Sequence, residues 1–269
     1  MRTYAALIFA GINEGTMMAV PNAHNTLVVI PARMAATRLP GKPLADICGL
    51  PMIVHVLRRA EAAGVGRVVV ACGDSEIAMA VEAAGGHAVM TDPNLASGSD
   101  RVQAAASTLD PDGSYEIVIN LQGDLPTVDP EALRASLLPL HNPQVDIATP
   151  VARIRDREEE ESDAVVKAIA RFEHGARTAR AEDFVRELPP DAEGPHLHHI
   201  GIYAFRRPAL DRFVRLPVSA SEVQRRLEQL RALDNGMRID VALVDTAPFG
   251  VDTPADLERA RGVIASRRA

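Results

Sequence analysis

Tryptophan is absent from this sequence, aromatic residues make up only 3% of it, and cysteine occurs just 2 times. With so few rings, a core has to be built from Ala, Val, Leu and Ile. Cys48 and Cys72 fit neither a metal-ligand spacing nor a disulfide framework, and they read as small buried side chains in a reducing compartment. There is no surplus of positive charge: 29 basic residues face 36 acidic ones, for a formal net charge of −7. That excludes the electrostatic footprint of a nucleic-acid binder or of a protein held on an anionic membrane. No apolar stretch reaches the roughly 18 residues of a membrane span. Residues 4–12 are apolar behind Arg2, yet no small-x-small cleavage site follows and Glu14 interrupts the run. Residues 1–25 are therefore expected to form a disordered N-terminal extension, with Met17 or Met18 as alternative starts, on a cytoplasmic protein. What is present is an ordinary globular balance, 47% hydrophobic and 24% charged, in 269 residues. That length suits one large domain or two small ones.

From Thr26 onward, apolar runs alternate with helical patterns. Residues 27–30 predict a buried strand that stops at Pro31. Apolar positions 53, 56, 57 and 60 predict a helix over 51–63, which Gly64 ends. Residues 67–72 form a β-branched strand, Asp74 or Ser75 caps a helix to Ala84, and residues 87–90 are a third strand. Residues 102–109 read as helix and 117–121 as a fourth strand. Asp129-Pro130-Glu131 supplies a cap, an N1 proline and an acidic first turn. This rhythm predicts a mostly parallel α/β sheet with helices on both faces, with ligands bound beyond the carboxyl ends of its strands. After about residue 145 the rhythm loosens. Strands are expected at 145–149, 164–170, 200–205 and 239–244, one helix over 219–233, and a last helix from Pro254. The acidic run 158–161 reads as a solvated helix or loop.

The most informative segment runs from Val29 to Leu44. After the first strand come Arg33, Arg38 and Lys42, separated by small residues and a Pro40-Gly41-Lys42-Pro43 turn. The prolines exclude a regular helix and stiffen the loop. Backbone amides and fixed cations at a strand's carboxyl end make an anion site suited to a polyphosphate. The segment is neither a Walker loop nor a Gly-x-Gly-x-x-Gly turn. Gln122-Gly123-Asp124 ends another strand, and Asp252 lies in Gly250-Val251-Asp252-Thr253-Pro254. A carboxylate in such a place can hold Mg²⁺ against phosphate oxygens. From the residues alone, each aspartate could equally cap a helix or open a turn. Ser97-Gly98-Ser99-Asp100-Arg101 precedes a helix, with amides and hydroxyls for a base or ribose and Arg101 for a phosphate.

In this order the segments closely resemble the signature of the sugar-acid cytidylyltransferases, in particular the 3-deoxy-manno-octulosonate cytidylyltransferase (CMP-Kdo synthetase) family. The resemblance covers residues 26–268. It implies a single Rossmann-like nucleotidyltransferase domain over 26–269, with a sugar-site and dimerisation insertion at about 150–215. It also implies transfer of CMP from CTP to the anomeric hydroxyl of 3-deoxy-D-manno-octulosonate (Kdo), releasing pyrophosphate, for lipopolysaccharide biosynthesis in a homodimer. By that resemblance Arg33, Lys42, Asp124 and Asp252 are catalytic, and the two aspartates share the Mg²⁺. Pro31, Ala32, Arg33, Lys42, Ala71, Asp74, Ser97, Gly98, Ser99, Arg101 and Gln122 would bind the nucleotide. Gln122, Arg186, His199, Tyr203, Glu228 and Gln229 would bind the sugar acid, with Arg186 on its carboxylate. His199 and Tyr203 come from a His-x-Gly-x-Tyr strand, and Glu228 and Gln229 from a Leu-Glu-Gln-Leu-Arg helix. A metal cluster of His196, His198 and His199 is disfavoured, because adjacent strand residues face opposite ways. The chain departs from the family at Ala71-Cys72-Gly73-Asp74, at Val185, at residues 162–167 and at Arg225. The departures leave open another acceptor, an amino-Kdo or a nonulosonate, and a homologue that binds nucleotide without catalysis.

Overall fold

The computed structural model describes residues 19–35, 38–189, 192 and 194–267. Met17, Met18 and the apolar run 4–12 lie outside the described residues. The last part of the expected extension is ordered: Asn22 and Asn25 close a turn, and the carbonyl of Ala19 accepts from Arg206.

In the first half, β1 (Thr26–Ala32) is followed by a hairpin of β2 (Asp46–Ile47) and β3 (Leu50–Pro51). Next come α1 (Met52–Ala63), β4 (Arg67–Cys72), α2 (Ser75–Ala83), β5 (Ala88–Met90), α3 (Gly98–Leu109), β6 (Ile117–Leu121) and α4 (Pro130–Ser136). The second half holds β7 (Ile147–Arg153), α5 (Arg157–Glu161), β8 (Lys167–Ala170), β9 (Thr178–Val185), β10 (Leu197–His199) and β11 (Ile202–Arg206). It ends with α6 (Arg207–Phe213), α7 (Ala220–Arg225), α8 (Leu230–Asp234), β12 (Ile239–Val244) and α9 (Pro254–Ser266). The main sheet runs in the order β10-β8-β9-β12-β7-β11-β6-β1-β4-β5.

Strand alternation explains why helices cover both faces. Val28 and Ile30 of β1 pack with Ile53 and Val56 of α1 and Leu133 of α4, whereas Leu27 and Val29 face Val102 and Ala105 of α3. Gly64 closes α1 in the left-handed region, and the Asp129 side chain caps α4. Cys72 is buried and Cys48 is half-buried.

The fold class is the expected α/β one, but its parallel character is local. β6, β1, β4 and β5 are parallel neighbours, as are β7 and β12, while the other main-sheet pairings are antiparallel. Because β10 pairs with both β8 and β7, the ladder β7-β10-β8-β9-β12 closes on itself.

Four boundaries differ from expectation for identifiable reasons. β1 does not stop at Pro31, which pairs in register with Ala71 of β4. The ladder to β6 has already ended at Val29, and the Pro31 carbonyl faces Gly123, so the missing N–H falls on the β6 side, where β1 no longer has a ladder partner. α3 starts at Gly98, because Ser97 and Asp100 form a capping box. The expected strand over 200–205 is interrupted at 200–201, which puts His199 on β10 and Tyr203 on β11. The expected helix over 219–233 breaks at Arg226, whose φ of 55° is left-handed, so Glu228 and Gln229 lie in a turn between α7 and α8.

Candidate active site

Beyond Ala32 the chain leaves the sheet at the point where β4 and β6 also end. The Ala32 carbonyl accepts from Gly73 N, and Asp74 Oδ2 accepts from Met34 N at 2.7 Å, so the start of the loop is fixed to β4. Gly41, at φ 69°, turns the chain into a single 3₁₀ turn beginning at Lys42, consistent with prolines 40 and 43 forbidding a longer helix. On the other side of β1, the Gln122-Gly123-Asp124 turn passes so close that a Cβ on Gly123 would lie 2.8 Å from the Pro31 carbonyl oxygen. Only glycine fits there.

Asp252 arrives from the far end of the sequence. Val251 N donates to the Asp124 carbonyl at 2.9 Å, which sets the two aspartates side by side. Neither caps a helix: Thr253 is the N-cap of α9, with Asp256 completing the box. Burial acts against the Asp256 carboxylate, but hydrogen bonds from Thr253 and from backbone amides outweigh it and hold the group below its ordinary pKa. Val251, Leu257, Ala260 and Ile264 pack on Ile47 and Met52, so α9 clamps this segment over the hairpin after the loop.

The result is a charged cleft of about 390 Å³, lined among others by Arg33, Arg38, Lys42, Gln122, Asp124 and Asp252. Lys42 Nζ donates to Asp124 Oδ2 at 2.8 Å and to Asp252 Oδ1 at 2.9 Å, and Arg38 donates to Asp252 Oδ2 at 3.0 Å. Burial penalises the Lys42 ammonium, but the charges and hydrogen bonds of both aspartates outweigh it and raise its pKa. Two hard oxygen donors thus converge on one cationic point, an arrangement that fits a divalent ion taking its remaining ligands from phosphate and water. Among the described residues no group of three His, Cys, Asp or Glu could hold a metal. Arg33 is exposed at the mouth. A second hollow of about 140 Å³ adjoins, lined by Pro31, Ala32, Arg33, Ser97, Gly98 and Gln122 among others.

A family model described as cytidylyltransferase matches residues 27–239. The chain belongs to the cytidylyltransferase family. It is 61% identical over 243 residues to the 3-deoxy-manno-octulosonate cytidylyltransferase of Rhodopseudomonas palustris, covering 90% of this chain and 98% of that one. The same-named protein of Paramagnetospirillum magneticum is 58% identical over 238 residues, 88% of this chain and 97% of that one. Among solved structures, CMP:2-keto-3-deoxy-manno-octonic acid synthetase complexed with CTP matches with a TM-score of 0.81 and 38% identity. That match covers 90% of this chain and 99% of the other.

In this cytidylyltransferase the expected nucleotide residues divide into two sets. Pro31, Ala32, Arg33, Lys42, Gln122, Ser97 and Gly98 line the cleft and its side hollow. Ala71 does not face it, since its side chain is in the core. Ser99 is buried and donates to Glu228 Oε2 at 2.9 Å. Arg101 reaches the side hollow, but its guanidinium donates to Thr91 Oγ1 and to the carbonyls of Asp92 and Pro93, so it braces the loop before α3. Burial, with Arg33 nearby, lowers its pKa.

Of the acceptor residues, Tyr203, Glu228 and Gln229 surround one small hollow with Ser99. Glu228 Oε1 and Gln229 Nε2 are buried without a hydrogen-bond partner, and the hollow their residues line, of about 10 Å³, has room for a single hydroxyl or water. His199 packs on Tyr203 at 5.4 Å between ring centroids. Thr149 Oγ1 gives its one proton to the Ile200 carbonyl at 3.0 Å, so His199 Nε2–H donates to that hydroxyl, also at 3.0 Å. Burial, aided by the charge of His198, lowers the His199 pKa to about 3. Arg186 is not part of this cluster: its guanidinium donates to the carbonyls of Asp163, Arg225 and Arg226. His196 and His198 pair instead with Glu160 and Glu159. Arg38 and Thr149 also belong to the site, although neither is among the site residues that the resemblance implies. Arg38 was readable as a third cation of the loop, whereas Thr149 carries no sequence signal.

Proposed function

We propose that this chain transfers CMP from CTP to the anomeric hydroxyl of Kdo, giving CMP-Kdo and pyrophosphate for lipopolysaccharide biosynthesis. The observation that carries the reading is the pairing of Lys42 with Asp124 and Asp252 beyond the carboxyl ends of β1 and β6, in a cleft with Arg33 and Arg38 at its mouth. Relatives named for this reaction, at about 60% identity over most of the chain, support the same acceptor.

Arg33 and Lys42 neutralise the β- and γ-phosphates, where charge grows as pyrophosphate leaves. Asp124 and Asp252 would hold Mg²⁺, whose chemistry is to stabilise charge on the α-phosphate and to lower the pKa of the attacking hydroxyl. Gly98 and Gln122 face the nucleoside side, and Glu228, Gln229 and Tyr203 hold the sugar hydroxyls so that the anomeric oxygen attacks in line. His199 is buried and neutral, so it orients Tyr203 and carries no proton in the reaction. The reading includes a cytoplasmic homodimer joined through the 150–215 region. A groove of about 850 Å³ beside β8, β9 and β10, with Ile169, Phe172, Val185 and Leu188 in its wall, lies in that region.

Pyrophosphate release tests the proposal, with CTP and a panel of Kdo, amino-Kdo and sialic acid, with and without Mg²⁺. Magnesium-dependent turnover of Kdo in preference to the other acids is expected. Turnover of another 2-keto sugar acid alone would reassign the acceptor, and CTP binding without turnover of any would leave a nucleotide-binding homologue.

A further inference from the structure

Ser99 occupies the first turn of α3, directly beside the residues that line the nucleotide-side hollow, yet it faces the opposite way. Its side chain is 2% exposed and its hydroxyl donates to Glu228 Oε2 at 2.9 Å, across 129 residues of sequence. Among the described residues this is the hydrogen bond that joins the α3 turn to the turn carrying Glu228 and Gln229. The other oxygen of the same carboxylate, Oε1, is buried without a hydrogen-bond partner and lies 4.0 Å from Arg231. Arg231 cannot take over the orienting role, because its guanidinium is bound to Glu222 and lies over the Phe213 ring. A carboxylate held through one oxygen keeps its other oxygen in a fixed direction, and Glu228 lines, with Tyr203 and Gln229, a hollow of about 10 Å³ that has room for a single hydroxyl.

We infer that Ser99 is a positioning residue for the acceptor: its hydroxyl fixes the Glu228 carboxylate so that Oε1 receives a sugar hydroxyl, and it ties that geometry to the helix that begins at the nucleotide loop. This inference rests on the acceptor reading given above, and it separates Ser99 from its sequence neighbours Ser97 and Gly98, which serve the nucleotide.

The test compares Ser99→Ala and Ser99→Thr with the wild type, measuring CTP affinity by calorimetry and the acceptor KM and kcat by pyrophosphate release. Ser99→Ala is expected to raise the acceptor KM by about tenfold, the loss of one charge-assisted hydrogen bond. Its CTP affinity should stay within about twofold of wild type, and Ser99→Thr, which keeps the hydroxyl, should restore most of the acceptor KM. Combining Ser99→Ala with Glu228→Gln should cost less than the sum of the separate effects. A fall in CTP affinity in Ser99→Ala would make Ser99 a nucleotide contact and overturn the inference, whether or not any acceptor is turned over. An unchanged acceptor KM, or no rescue by threonine in a protein that melts like wild type, would also overturn it. A wild type inactive on Kdo sinks the acceptor reading instead, and the Ser99 comparison is then made on the sugar acid it accepts.

Discussion

Replacing Lys42 by methionine should make the nucleotide-free protein bind a divalent cation more tightly, although the residue serves the same reaction. In the structure the Lys42 ammonium sits between the two carboxylates proposed as metal ligands, at 2.8 and 2.9 Å. A cation entering without nucleotide has to displace it. The magnitude follows from exposure. Lys42 and Asp124 are 18% and 28% exposed, so their charged hydrogen bond contributes about 1.5 kcal/mol. Asp252 is 45% exposed and also shared with Arg38, so solvent screening leaves about 0.5 kcal/mol there. Removing a competitor worth about 2 kcal/mol corresponds to about 30-fold tighter binding. The assay is titration of Mn²⁺ into protein without CTP, with free ion read by electron paramagnetic resonance. Methionine keeps the apolar stem of the lysine, and a melting curve with and without Mn²⁺ checks the fold. Adding Asp124→Asn should abolish the gain. Equal Mn²⁺ affinity in wild type and Lys42→Met would refute the reasoning. With CTP present the sign reverses: Lys42→Met should lose kcat, because the lysine is then needed on the leaving phosphates.

Asp124→Asn, which keeps the size of the side chain but loses an anionic oxygen, should reduce turnover by a factor on the order of 10² or more at saturating Mg²⁺, with an unchanged melting profile; near wild-type rates would remove Asp124 from the metal site. Arg186→Ala should lower the unfolding midpoint by several degrees, since three carbonyls lose their donor, a loss of about 1–2 kcal/mol. A raised acceptor KM in that variant would show that Arg186 also reaches the sugar carboxylate, and a wild-type midpoint would show that the carbonyl bonds stabilise nothing. His199 gives a pH dependence of definite sign. Its folded pKa is near 3, against an ordinary value of 6.5, so the unfolded chain binds the extra proton between those limits. The stability it contributes is complete above about pH 6.5 and is lost as pH falls toward 3, with a slope up to about 1.4 kcal/mol per pH unit. Chemical denaturation at pH 7 and pH 5 should therefore show a smaller drop for His199→Gln than for wild type, and equal drops would contradict the burial argument.

The loop from Val29 to Leu44 was legible in the sequence because its physics is local. A β-branched run makes a strand, prolines forbid a helix, Gly41 permits the left-handed turn, and three cations in a short loop can hardly avoid one another. The parallel core was legible for the same reason, through apolar periodicity and the caps at Asp129 and Gly64. β9 was not, because its buried positions include Ala179 and Ala181, whose small side chains barely mark the alternation. The break at Arg226 was hidden too, since nothing in Ser219 to Leu233 disfavours a continuous helix. Only packing puts Glu228 opposite Ser99, and it requires a left-handed residue between α7 and α8. Asp124 and Asp252 were visible as carboxylates after strands, equally suited to capping. Their meeting depends on the hydrogen bond from Val251 N to the Asp124 carbonyl and on α9 packing against Ile47 and Met52. Chemistry confined to one loop can be read from residue order. The juxtaposition of groups more than a hundred residues apart is decided by which faces of the sheet and helices bury one another, and that is settled only in the tertiary structure.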